Sequence, residues 1–121
     1  MSEKPSPFKD ALRYDVDRRD NVIVVKLAGS AHMENLTDLQ DKLLKLVNDR
    51  PEQLIIDLSD LNFISSMGLG GIIAAHLKCR HHNGVVKLVA PQPAIMDLLE
   101  VTRLTKLFPI YDTVENAIAD K

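Results

Sequence analysis

The run Leu54-Ile55-Ile56-Asp57-Leu58 leads into Ser59-Asp60-Leu61-Asn62-Phe63-Ile64-Ser65-Ser66-Met67-Gly68-Leu69-Gly70-Gly71. Its first five residues are short and almost continuously apolar, which is how a buried central strand reads. The polar residues 59–62 predict a loop. A helix is then predicted from about residue 67 to 81, with Leu69, Ile72, Ile73, Leu77 and Arg80 near one face, closed by Asn83-Gly84. Serine at a helix start needs no functional account, because its hydroxyl satisfies an otherwise orphaned backbone N–H. Three glycines in the first turns do need one, since each costs roughly 0.5–1 kcal/mol relative to alanine. They allow either close packing against the sheet or a flat surface on which another backbone can lie. The sequence leaves both open.

Working outward, Leu12, Tyr14 and Val16 alternate with Arg13, Asp15 and Asp17, the period of a half-exposed strand. A polar turn at residues 18–21 and a β-branched run over 22–28, ended by Gly29, predict a hairpin. Leu36, Leu39, Leu43, Leu46 and Val47 mark one face of a helix over residues 33–47, stopped before Pro51. A strand over 85–90, a helix over 91–100 and a short strand over 107–111 follow. Asp112-Thr113-Val114-Glu115 resembles a capping box that opens a last helix to about residue 119. Strand–helix alternation implies parallel crossovers. The expected architecture is α/β: a small mixed β-sheet with an N-terminal β-hairpin and alternating helices. Residues 1–10, rich in Ser, Pro and charge, read as a flexible tail, and residues 11–121 as a single domain. Lys26 and Lys87 interrupt apolar strands, which predicts that part of one sheet face meets water.

Composition narrows the function classes. Of 121 residues, fifteen are basic and seventeen acidic, for a net charge of −2. That balance argues against bulk electrostatic binding to nucleic acid or anionic lipid. With no Trp and 4% aromatics, base-stacking platforms are poorly supplied as well. No apolar run approaches a membrane span, and the first residues carry no secretory signal, so a cytoplasmic protein is expected. The single cysteine, Cys79, excludes an internal disulfide framework. No phosphate loop, dinucleotide fingerprint or Cys/His quartet is present, and neither cofactor nor metal is expected. His81 and His82 are adjacent and point to different sides of a helix. His76 lies close to the apolar stripe and reads as a packed side chain, Asp57 as a turn-forming acid, and Cys79 as an inert helix thiol. No catalytic constellation emerges.

Phosphorylation of Ser66 would add roughly −1.5 to −2 charge at the positive end of the predicted helix. The dipole and free N–H groups there tolerate an anion, so the domain would stay folded while a docked partner is repelled.

The stretch from Leu54 to His76 resembles the signature of the STAS domain, found in bacterial anti-sigma factor antagonists and at the ends of sulfate transporters. Val24-Val25-Lys26-Leu27-Ala28-Gly29 is similar to the family's second strand. Leu99-Glu100-Val101-Thr102-Arg103-Leu104 and Leu107-Phe108-Pro109-Ile110-Tyr111-Asp112 are similar to its C-terminal segment. The antagonists carry Asp-Ser-Ser-Gly-Leu-Gly, whose first Ser is phosphorylated. Aligned on Gly68-Leu69-Gly70, that acceptor falls on Ser66, with Ser65 as the alternative. The resemblance implies an anti-sigma factor serine kinase as partner and a metal-dependent serine phosphatase that resets the switch. This chain has Ser65 for the family's Asp, Met67 for its second Ser, and Gly29-Ser30-Ala31-His32 where Gly-Glu-Leu-Asp is frequent.

The leading expectation is a non-enzymatic antagonist that docks its partner through Gly29, Ser30, His32, Ser59, Asp60, Asn62, Ser65, Met67, Gly68, Gly70 and Gly71. The alternative is a phosphorylation-independent STAS subunit of a larger sensor or lipid-transport assembly. A third reading, an enzyme or small-molecule binder, rests on Asp57, His32 and Cys79 lying near one loop cluster. A homodimer is compatible with so small an interaction domain.

Overall fold

A computed structural model describes residues 11–121 of the chain; the N-terminal tail expected over residues 1–10 lies outside the described residues. Five strands form one sheet in sequence order: β1 (Arg13–Arg19), β2 (Val22–Ala31), β3 (Gln53–Ile64), β4 (Val85–Val89) and β5 (Ile110–Tyr111). β1 and β2 pair antiparallel as the expected hairpin, and every later pairing is parallel. The hairpin turn is tighter than the sequence suggested. Only Asp20 and Asn21 separate the strands, and Asp20 takes the left-handed conformation such turns require.

The helices are α1 (Leu36–Asn48), α2 (Ser66–Arg80), α3 (Pro93–Val101) and α4 (Val114–Ala119). Leu39, Leu43, Leu46 and Val47 of α1 and Leu69, Ile72 and Ala75 of α2 join the main core with Val25, Leu27, Leu54, Ile56 and Leu88 of the sheet. A smaller cluster of Val24, Ile55, Val89 and Ala117 sits on the opposite sheet face, under α4. The buried face of α2 runs through Gly68, Leu69, Ile72, Ala75, His76 and Cys79, so Leu77 and Arg80 belong to the outer face. α4 is capped one residue later than expected, by Thr113, whose hydroxyl accepts the Asn116 amide at 3.1 Å.

Two expectations are corrected. Residues 59–62 are not a loop: β3 continues through them to Ile64, paired with β2. β2 advances five residues from Lys26 to Ala31 while β3 advances seven from Asp57 to Ile64, so β3 carries two bulges. Lys87 does not meet water. It is buried, and its ammonium donates to the Gln53 side chain at 2.8 Å, the Ala117 carbonyl at 2.7 Å and the Asp120 carbonyl. α4 folds over this lysine and closes the sheet face. Lys26, by contrast, remains partly exposed.

Candidate partner-docking site

The extended ends of β2 and β3 lie side by side, and both chains turn away into helices from there. On the β3 side, the Ser65 amide donates to the Ala31 carbonyl at 2.8 Å, holding the β3–α2 junction against the end of β2. Ser65 is the N-cap of α2: its backbone is extended, and its Oγ accepts the Gly68 amide at 3.0 Å. Ser66 is therefore the first helical residue, and it is exposed. The two neighbouring serines hold different posts, one closing the helix and one facing solvent at its positive end.

On the β2 side, Gly29 takes φ +99°, a conformation available to glycine and strained for other residues, at the second register shift. His32 then opens a 3-10 turn at Met33–Asn35 that leads into α1. Asn35 ties this turn together. Its Oδ1 accepts the His32 amide at 2.9 Å, and its Nδ2 donates to the Ser30 carbonyl at 2.8 Å. The Glu34 amide approaches His32 Nδ1 at 3.4 Å. Sequence reasoning missed Asn35 because it absorbed the residue into the helix; a capping-type residue just before Leu36 was the available signal. Gln92, also missed, anchors the β4–α3 connection by donating to the Ser59 carbonyl at 3.0 Å.

The glycines divide by role. A Cβ on Gly68 would lie 2.8 Å from Ile64 Cγ1, and one on Gly71 would lie 3.0 Å from Gln40 Cγ of α1. Both are buried and serve close packing, against the β3 end and between helices. At Gly70 the position of a Cβ is open, with nothing within 4 Å, and the residue is exposed. The question left open by the sequence is thus answered differently for each glycine.

Of the other anticipated docking residues, Asp60, Asn62 and Met67 are exposed, and Met67 keeps 53% of its surface in solvent. His32, Ser59 and Ser65 are half-buried. Gly29 and Ser30 are buried and shape the site from beneath, so the Ser30 side chain is out of reach of a docked protein. Lys26 pairs with Asp60 at 3.0 Å on the rim. This hydrogen-bonded partner, and then the neighbouring carboxylates Asp57 and Asp15, push the lysine above its ordinary value.

The trio behind the small-molecule reading is dispersed. Asp57 lies beside Lys26, six residues before His32, and turns back to accept the Ser59 amide at 3.0 Å. Cys79 lies near the far end of α2, about 20 Å along the helix from Ser66. Its sulfur sits 3.7 Å from His82 Nε2, and burial pushes its thiol up, away from the reactive thiolate range. Among the described residues, no group of three or more His, Cys, Asp or Glu is placed to hold a metal ion, and no helix is long and apolar enough to cross a membrane.

Residues 13–117 match the STAS domain, essentially the whole described chain. The chain belongs to the STAS domain family. An anti-sigma F factor antagonist of Paenibacillus polymyxa is 24% identical over 110 residues, covering 90% of this chain and 94% of that protein. The crystal structure of an anti-sigma factor antagonist from Mycobacterium paratuberculosis superposes with a TM-score of 0.83 at 32% identity, covering 92% of this chain and 94% of the other. The Bacillus cell fate determinant SpoIIAA, solved in its phosphorylated form, shares the fold at 17% identity with a TM-score of 0.71. That match covers 88% of this STAS chain and 97% of SpoIIAA.

Proposed function

We propose that this STAS protein is an anti-sigma factor antagonist. It docks an anti-sigma factor through the N-terminal end of α2 and the adjoining ends of β2 and β3, and Ser66 is its phosphorylation switch. In this reading the partner is a serine kinase that phosphorylates Ser66 and so releases the antagonist, and a serine phosphatase restores it. The observation that carries the proposal is the division of labour between the serines. Ser65 Oγ is engaged by the Gly68 amide, whereas Ser66 is exposed at the first helical position. A phosphate on Ser66 would meet the helix dipole and free N–H groups without disturbing the cap. It would also set charge beside the apolar Met67, where a docked protein would have to desolvate it. The test is incubation with the cognate anti-sigma kinase and ATP, read by intact mass and peptide mapping. One phosphate on Ser66, absent in Ser66→Ala and retained in Ser65→Ala, supports the proposal. Phosphate on Ser65 alone, or on neither serine, defeats it.

The exposure of Met67 favours a second reading, in which the site binds constitutively as part of a larger assembly. A large apolar side chain beside the acceptor position suits a permanent contact. Under this reading Ser66→Asp would leave binding unchanged, whereas under the first it would mimic release.

A further inference from the structure

The outer face of α2 carries a stripe that the antagonist site does not use up. Met67, Gly70, Ala74, Leu77 and His81 follow one another at spacings of three and four, and all are exposed. Met67 and Leu77 retain 53% and 54% of their surface in solvent. Along the stripe, Gly70 is a hole, with nothing beyond its adjoining helix backbone within 4 Å of a Cβ built there, and Leu77 is a knob. The two stand almost equally far from Ala74, on either side of it. A twofold axis through Ala74 would therefore set the Leu77 of each copy over the Gly70 of the other, the isologous geometry of a symmetric dimer.

Charge follows the same symmetry. α1 and α2 both return between parallel strands and run side by side in the same direction. The exposed acid on this face, Asp41, lies in the N-terminal half of α1; near the C-terminal ends of the two helices the exposed charges are basic, Lys78 and Arg50, with His81 beside them. Gly71 packs on Gln40 and the helices run the same way, so Asp41 stands level with Ile72, half a turn before Ala74. The twofold that exchanges the levels of Gly70 and Leu77 brings Lys78 of one copy towards Asp41 of the other. A parallel arrangement would instead set acid on acid and base on base.

We infer that the outer face of α2 seats a second copy of this chain, antiparallel about Ala74, with Leu77 over Gly70 and Lys78 opposite Asp41. Such a dimer covers Met67, so self-association and docking of another protein at the α2 N-terminus exclude each other. Self-association needs no other protein, and its failure would leave the antagonist reading standing.

Sedimentation velocity of the full chain, from low to several hundred micromolar, tests this directly. The expected result is a concentration-dependent monomer–dimer equilibrium. Gly70→Arg fills the hole without an internal clash and should weaken the dimer by about tenfold or more. Circular dichroism melts would confirm that the variant folds. Lys78→Glu and Asp41→Lys should each weaken association, and the double variant should recover most of it. A protein that stays monomeric throughout overturns the inference. So does a dimer indifferent to Gly70→Arg, or one that the double exchange fails to restore, because the second copy would then sit elsewhere.

Discussion

Ser65 Oγ accepts the Gly68 amide at 3.0 Å, and the adjacent Ser66 begins the helix with its side chain in solvent. The same chemical group thus has opposite consequences at consecutive positions. Ser65→Ala should destabilise the domain by about 1 kcal/mol, the usual loss for an N-cap hydroxyl. Ser66→Ala should stay within about 0.5 kcal/mol of the parent, as exposed substitutions usually do. Urea unfolding of the two variants checks this. Equal losses would mean that the cap does not discriminate between them.

The three glycines of α2 should respond to alanine with different signs. Gly70→Ala meets no atom and improves helix propensity, so it should stabilise by roughly 0.5–1 kcal/mol. Gly68→Ala forces its Cβ to 2.8 Å from Ile64 Cγ1, in a buried junction, and should destabilise by about 1–3 kcal/mol. Gly71→Ala lies between these, because the Gln40 side chain it meets at 3.0 Å can shift. Thermal melts of the three single variants would reveal this order.

The alternation over residues 12–17, the helical spacing from Leu36 to Val47 and the apolar run before Asp57 were all sufficient to place elements, because each has one face wet or both faces dry. The end of β3 was not legible. Leu58, Leu61 and Ile64 are its buried residues, three apart, since two bulges break the two-residue period that identifies a strand. Those bulges lie beside the proposed docking site, where the local pattern is broken by the bend in the chain. Lys87 was misread for a different reason. Two of its acceptors are backbone carbonyls on Ala117 and Asp120, thirty or more residues along, and no local pattern announces them. The motif singles out Ser66 as the proposed acceptor, whereas the different posts of Ser65 and Ser66 at the helix start need the cap geometry.

The Lys87 ammonium ties α4 to the sheet, beside the packing of Ala117 and the bond from Gln53 Nε2 to the Ile118 carbonyl at 3.3 Å. Lys87→Met retains the aliphatic stem but leaves the Gln53 side chain and the carbonyls of Ala117 and Asp120 without their shared donor. Each buried acceptor left unpaired costs on the order of 1–3 kcal/mol. The variant should be destabilised by at least about 2 kcal/mol, with amide exchange accelerating first in Val114–Ala119. Uniform acceleration across the whole chain would show that α4 is not a separately held element.

His76 predicts how the fold responds to acid. The residue is 6% exposed, and its ring meets Phe108 edge-on at 5.2 Å, with no hydrogen-bond partner on either nitrogen. Burial, with Arg80 adding to it, holds the imidazole below its ordinary value of 6.5. A proton therefore binds the unfolded chain more readily than the folded one. His76 accordingly costs the fold nothing while neutral above pH 6.5. It removes stability as pH falls from 6.5 towards the folded-state value, below which its contribution levels off. The slope is at most about 1.4 kcal/mol per pH unit for one proton. His76→Phe keeps an aromatic ring on Phe108 and discards two unpaired nitrogens, so it should be neutral or stabilising at pH 7. Below pH 6.5 the variant should unfold with a visibly flatter pH dependence than the parent. Urea midpoints measured from pH 7.5 to 5 for both proteins decide the matter. Parallel pH curves would mean that the acid sensitivity comes from carboxylates rather than from the histidine on the buried face of α2.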